Sequence, residues 1–252
     1  MLHITNKILN EAIMGQNGFI NSKLETKELN ELESLSLTCK ADILAMTTLA
    51  SSGHPGGSMS SIDMYLTLFK FSNLFTDNPH NPDRDRIIVS HGHTSPGVYS
   101  ALARTGFFNI DDAISGFRRA GSIFEGHVER SVPGVEWGTG NLGQGLSVGC
   151  GAAMAAKINR KSYNTFVLMG DGEQQKGQIT EARRFAAKYK LGNLTVLIDK
   201  NNLQISGDTA EVMPQHIKDN FISDGWQVVD INGHDIGQIC EALKSSVQND
   251  TV

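Results

Sequence analysis

The chain has 252 residues, 39% of them hydrophobic, and a formal net charge of −5. That length suits one large α/β domain with a sizeable core, and the acidic balance argues against general nucleic-acid binding. No apolar run reaches the ~18 residues of a membrane span, Asn6, Lys7, Asn10 and Glu11 interrupt any signal-peptide core, and the widely spaced Cys39, Cys150 and Cys240 read as reduced thiols of a cytoplasmic protein.

Residues 1–25 are polar and poorly patterned, and are expected to form a lead-in arm, with 26–252 as a single domain. From Leu29 the residues Leu32, Leu35, Cys39, Ile43, Met46 and Ala50 recur at helical spacing. Ser52-Gly53-His54-Pro55-Gly56-Gly57 breaks that helix and leaves His54 on a loop. A second helix runs from Ser61 to about Phe71, with Ile62, Tyr65, Leu66 and Phe69 on one face. After a polar loop, Arg86-Ile87-Ile88-Val89-Ser90 is a short buried-type strand that delivers His91-Gly92-His93 at its end. Val98–Ala103 is helical, and Asp111-Asp112 opens another short helix ending near Arg119, with Gly126-His127 in the loop beyond. The glycine-rich run Glu136-Trp137-Gly138-Thr139-Gly140-Asn141-Leu142-Gly143-Gln144-Gly145 precedes a helix from Leu146 to about Asn159. The small residues of that helix allow close packing against a sheet. Trp226–Ile231 is expected to be a further strand and Ile236–Ser246 a closing helix. Strands alternating with helices imply a doubly wound, mostly parallel sheet with helices on both faces.

The centre of the chain carries the most chemistry. Phe166-Val167-Leu168-Met169 ends abruptly at Gly170-Asp171-Gly172-Glu173, and after a helical run Val196-Leu197-Ile198 ends at Asp199-Lys200-Asn201-Asn202-Leu203. This is a β-α-β unit with polar residues at the carboxyl ends of both strands, where ligands bind in open α/β sheets. Asp171 and Asn201 are 30 positions apart, about one crossover unit. Neighbouring strands would then present a carboxylate and an amide oxygen at one edge. Hard oxygen donors suit Mg²⁺ or Ca²⁺, and Mg²⁺ favours phosphate oxygens beside one or two protein ligands. Gly170 and Gly172 let the backbone approach a bulky anion. The local reading is a divalent cation anchoring a diphosphate; the plainer alternative is a turn after a strand.

His54, His93, His127 and His234 each follow a glycine, or lie beside one, near the end of an element. Any one alone is more often structural. The loops of the first three could converge above one sheet edge, where histidine moves protons near neutral pH. Zinc is a competing use for His91-x-His93, but no third ligand lies near in sequence.

These motifs resemble, in order, those of the thiamine diphosphate enzymes, and of their transketolase branch in particular. Gly-Asp-Gly followed thirty residues later by Asn, with flanks Leu191-Gly192-Asn193-Leu194 and Leu203-Gln204-Ile205-Ser206-Gly207, carries the resemblance. Ser52-Gly53-His54-Pro55-Gly56-Gly57 is similar to the segment whose histidine lies near the reactive thiazolium carbon. Asp85–His93 resembles the segment holding a second active-site histidine, at His93, and Gly126-His127 the contact to the donor ketose. The resemblance implies that Gly140, Asn141 and Leu142 hold the aminopyrimidine and that Gly170, Asp171, Gly172, Glu173 and Asn201 lie at the diphosphate. Asp171, Asn201 and the carbonyl of Leu203 would be the metal ligands. Glu173 is expected either beside these groups or as a solvated loop carboxylate. His234 resembles a structural position.

The resemblance runs from about Leu29 to Leu243 and implies the diphosphate-binding domain of the thiamine diphosphate-binding fold. It also implies ketol transfer between anionic sugars with thiamine diphosphate and Mg²⁺. No pyrimidine-binding domain follows, so a separately encoded C-terminal subunit is expected, in an α₂β₂ heterotetramer. Three departures stand out. Lys176 takes the place of a glutamate that links paired sites in full-length members, and could meet Glu181 of a second copy. His91 stands where many split relatives carry lysine. The chain stops at Val252, before a strand and a loop bearing a further histidine. The alternatives are a subunit of a 2-oxoacid dehydrogenase or deoxyxylulose-phosphate-synthase type, or a non-catalytic regulatory subunit.

Overall fold

The computed structural model describes Phe19 and residues 24–205 and 207–248. Most of the expected 1–25 arm therefore lies outside the described residues. Phe19 is an exception: it is buried, with its ring centroid 5.9 Å from those of Phe71 and Phe166.

The first helix, α1 (Thr26–Leu49), starts at a reciprocal cap in which Glu25 and Glu28 each bond the other's backbone, and buries Leu32, Leu35, Cys39, Ile43 and Met46 on one stripe. Pro55–Ser60 forms a short helix, α2, where the sequence suggested only a break. Proline at the first helical position loses no hydrogen bond, which makes that start permissible. In α3 (Ile62–Phe71) burial extends almost all round the helix rather than along one face. Next come β1 (Arg86–Val89), α4 (Ser95–Arg104) and α5 (Ile110–Gly116). The small-residue helix α6 (Gly145–Ile158), β2 (Thr165–Gly170), α7 (Gly177–Tyr189) and β3 (Leu194–Asp199) complete the centre. A two-residue antiparallel ribbon, β4 (Leu203–Gln204) with β5 (Gly207–Asp208), leads through α8 (Thr209–Val212) and α9 (Ile217–Ser223) to α10 (Ile236–Gln248).

The strands β1, β2 and β3 lie side by side in that order and run parallel. Their side chains alternate between two cores. Ile87, Val89, Phe166 and Leu168 join the core built with α1, α3, α4 and α10; Ile88, Val167 and Met169 join the one built with α6 and α7. Helices thus cover both faces, as a parallel sheet requires. A methyl added to Gly149 of α6 would sit 2.3 Å from Val167 Cγ2, so at Gly149 the small residue serves close packing against the sheet. Among the described residues no helix is long and apolar enough to cross a membrane, and all three cysteines are free thiols.

The expected strand at Trp226–Ile231 is not formed. Trp226 is buried against Phe221, with ring centroids 5.3 Å apart, and its Nε1 donates to the Arg183 carbonyl at 3.1 Å. Val229 and Ile231 face solvent. The apolar signal there comes from a tryptophan anchoring the chain to α7, with no ladder to a neighbouring strand.

Candidate active site

Asp171 and Asn201 leave the carboxyl ends of β2 and β3, which pair through Gly170 opposite Asp199. Asp171 is buried; its Oδ1 accepts from Gly172 N and its Oδ2 from Asn202 N, each at 2.7 Å. Burial pushes its carboxyl above the usual range, and the two backbone donors oppose that shift. Asn201 Oδ1 accepts from Leu203 N at 2.9 Å, which folds Leu203 into the same turn. Adjacent parallel strands therefore bring together one carboxylate, one amide oxygen and the Leu203 backbone, the three donors that the sequence spacing and the resemblance named.

Glu173 is not a solvated carboxylate. It is 2% exposed, and its Oε2 accepts from Ser90 Oγ and from Gly143 N, both at 2.6 Å, while Oε1 accepts from Gly170 N at 2.9 Å. Ser90 Oγ in turn accepts from Gly145 N at 3.2 Å. One side chain thus ties the ends of β1 and β2 to the loop of Gly140, Asn141 and Leu142. The loop can come this close because Gly143 has φ +85° and Gly145 has no side chain: a methyl on Gly145 would lie 2.4 Å from Ser90 Cβ. Gly92 does the same on the other side, since a methyl there would fall 1.6 Å from Thr139 Oγ1.

The three loop histidines converge. His54 immediately precedes α2 without a side-chain cap bond, His93 lies in the helical turn after β1, and His127 lies in the long loop beyond α5. The ring centroid of His54 is 5.1 Å from that of His93 and 6.5 Å from that of His127. The loops of His93 and His127 are joined by Val128 N donating to the Gly92 carbonyl at 3.2 Å. Tyr99 OH donates to the His127 carbonyl at 3.1 Å. Burial, with help from His91, His54 and His127, pushes His93 down to about 4. Partial burial, then Arg118 and His127, lowers His54 as well.

Beneath this cluster lies a polar network that sequence reasoning missed. His91 is buried, and its Nδ1 lies 3.0 Å from the Leu168 carbonyl, which only an N–H can satisfy. Nε2 then faces Ser61 Oγ at 3.1 Å and Tyr65 OH at 3.0 Å. Ser60 and Ser61 donate to the two oxygens of Asp199 at 2.9 and 2.8 Å. Both His91 nitrogens are thus used within the chain, leaving neither for a zinc site with His93. The ring forms a floor for His93, with centroids 6.1 Å apart. Neither Ser60-Ser61 nor Tyr65 carries a sequence signal; only Asp199, at the end of an apolar run, could have been suspected. His234 lies away from the cluster, its Nδ1 3.1 Å from Asp63 Oδ2. Lys176 is exposed at the start of α7, with its stem against Gly143.

A parallel sheet with an acid and an amide at adjacent strand ends, together with a cluster of converging histidines, narrows the possible families greatly. Residues 37–251 match the family described as transketolase, thiamine diphosphate binding domain. The chain belongs to the transketolase family. It is 40% identical over 222 residues to one of the subunits of the apulose-4-phosphate transketolase of Phocaeicola vulgatus, covering 86% of this chain and 78% of that one. It is 33% identical to the 6-deoxy-6-sulfo-D-fructose transketolase subunit SqwG of a Clostridium species, over 85% and 80%. The transketolase crystal structure from Campylobacter jejuni superposes with a TM-score of 0.83 at 32% identity, covering 88% of this chain and 36% of that one. A Pichia stipitis transketolase in complex with sedoheptulose 7-phosphate gives 0.81 at 30%, covering 86% and 34%. The chain thus spans about a third of these longer transketolases and most of the two subunits. It is a transketolase-type transferase chain with a thiamine diphosphate-binding domain.

The residues fit the cofactor such a domain holds. A methyl on Gly140 would meet nothing within 4 Å, and on Gly170 or Gly172 only contacts at 3.8 and 3.4 Å. These glycines are not demanded by the chain's own packing, and the space beside them is open for a ligand to approach the backbone. The oxygen donors of Asp171, Asn201 and Leu203 suit a hard divalent cation.

Proposed function

We propose that this chain is the diphosphate-binding subunit of a two-subunit transketolase. It transfers a two-carbon ketol unit from an anionic ketose to an aldose, with thiamine diphosphate and Mg²⁺ (or Ca²⁺). The observation that carries this reading is the convergence of three histidine rings in a chain that also sets Asp171 and Asn201 at the ends of adjacent strands. The names of the two subunit relatives, one for a sugar phosphate and one for a sulfo sugar, support an anionic substrate and a separate partner.

In this reading Asp171, Asn201 and the Leu203 carbonyl hold the cation, and Gly170 and Gly172 give the diphosphate access to the backbone. Gly140, Asn141 and Leu142 hold the aminopyrimidine, while Glu173 acts through Gly143 and Gly170, its oxygens being taken. The cofactor supplies carbanion chemistry when bound. His54 and His93, largely neutral at neutral pH, offer hydrogen bonds to substrate hydroxyls, His54 being the one that accepts protons from them, and His127 contacts the donor ketose. A partner chain supplies the pyrimidine-binding domain in an α₂β₂ cytoplasmic assembly.

Native mass spectrometry of the chain with and without the product of its neighbouring gene, in Mg²⁺ and thiamine diphosphate, tests this. A heteromer that retains the cofactor, with ketol transfer on a phosphorylated or sulfonated ketose, is expected. Stoichiometric cofactor binding by the chain alone would overturn the two-subunit reading, and turnover of 2-oxoacids the assigned reaction.

A further inference from the structure

Arg118 lies between α5 and His127, in a stretch with no recognisable motif. Its backbone is left-handed, φ 55°, a conformation that side chains other than glycine rarely adopt. The strain is held in place by its N–H, which donates to the Phe124 carbonyl at 2.9 Å. The guanidinium reaches in two directions. Nη1 donates to Ser52 Oγ at 2.5 Å, two residues before His54. The rest of the group lies over Gly126, one residue before His127: a methyl there would come within 2.4 Å of Nε and 2.6 Å of Nη2.

The preceding residue grips the same loop from the other side. Phe117 is buried, and a methyl on Gly53 would meet its Cε1 at 3.2 Å. Gly53 has φ 134° and Ser51 has φ 48°. Glycine takes such a φ freely, but Ser51 and Arg118 do not, and left-handed backbone at non-glycine residues gathers where loops must be fixed for function.

We propose that Arg118 is a positioning residue that clips the His54 loop to the His127 loop, setting the rings before any ligand arrives. What the rings then do rests on the function proposed above; the clip itself does not. Arginine suits the task because its planar fork can bond Ser52 edge-on while lying flat on a glycine, which a lysine ammonium cannot do. Its charge also faces His54, together with the rings of His93 and His127.

The test uses the isolated chain with labelled histidine rings and backbone amides, followed by NMR through a pH titration. Arg118→Gln should shift the amides of residues 52–54 and 126–128 and raise the His54 midpoint, with His93 still depressed. Arg118→Lys should shift the same amides but leave the His54 midpoint nearer wild type, because the charge remains. Ser52→Ala should disturb both loops without removing a charge. The clip is overturned by an Arg118→Gln spectrum unchanged in both loops, or by shifts spread equally over α1 and β1. If Arg118→Gln does not fold, Ser52→Ala decides: a His127 loop that ignores it also overturns the proposal. No cofactor or partner enters the measurement, so its failure is separate from any failure of the transketolase reading.

Discussion

Replacing Glu173 asks how much one buried carboxylate holds the site together. Its two oxygens receive three donors, from Ser90, Gly143 and Gly170, at 2.6 to 2.9 Å. Leaving a buried donor unpaired costs roughly 1–3 kcal/mol. In Glu173→Gln the amide oxygen fits best toward Ser90 and Gly143, since both point at the same carboxylate oxygen. The amide NH₂ then faces Gly170 N–H, and this single clash should cost about 2 kcal/mol. Glu173→Ala strands all three donors and opens a cavity, for a loss of roughly 3–5 kcal/mol after water partly replaces the carboxylate. Urea unfolding of the isolated chain measures both, and the order wild type, Gln, Ala is the signature. Glutamine should also weaken thiamine diphosphate retention in the assembled enzyme, because the Gly140–Leu142 loop loses its tie to the sheet. A glutamine variant as stable as wild type would refute the reasoning: the hydrogen bonds would then do no more than offset the desolvation of the charge, as buried ionic groups sometimes do.

Other outcomes follow from the same geometry. His93, held near 4 in the fold against 6.5 for an ordinary histidine, contributes stability that is present above pH 6.5 and lost as pH falls toward 4, because the unfolded ring takes up a proton first. The loss is up to about 3 kcal/mol, and His93→Gln should flatten that limb of a stability–pH curve. Asp171→Asn and Asn201→Ala should each abolish Mg²⁺-dependent thiamine diphosphate binding by calorimetry, and chelation of the metal should release the cofactor from the wild-type complex. Gly92→Ala, with its methyl 1.6 Å from Thr139 Oγ1, should destabilise by several kcal/mol, on the order of overpacking costs. Gly151→Ala, in α6 with nothing within 4 Å of its methyl, should raise stability by about 0.5–1 kcal/mol; thermal unfolding compares the two.

Much of this site is local in sequence and so could be read from it. Asp171 and Asn201 sit directly after apolar runs that can only be buried strands, and a crossover of one helix makes those strands neighbours. His93 sits in the turn directly after β1 and His54 between two helices, whereas His127 lies in a long loop beyond α5 that is tied back by Val128 N to the Gly92 carbonyl. What escaped reading depends on contacts between distant segments. The fate of Glu173 turns on Ser90 and Gly143, 83 and 30 residues away. The Asp199–Ser61 bond spans 138 residues. Trp226–Ile231 has a strand's composition, but composition cannot say whether a partner edge is available, and here the tryptophan turns to α7 instead.

The depression of His93 also bears on how the histidines divide their work. A general base serves best when its pKa lies near the working pH. At about 4, His93 is neutral near pH 7 and holds almost no proton to give, so its part in the chain's own fold is that of a hydrogen-bond partner. The main cause is burial, to which the neighbouring rings add: the ring stands on His91, whose two nitrogens are consumed by Leu168, Ser61 and Tyr65. His54 differs because it is exposed and its depression owes part of its size to a removable cation, Arg118. Proton traffic in this half-site should therefore centre on His54. In ketol transfer by the assembled enzyme, Arg118→Gln should move the acidic limb of the kcat/KM profile upward in pH, whereas His93→Gln should lower the rate without moving that limb. An acidic limb that follows His93 instead would reverse the assignment.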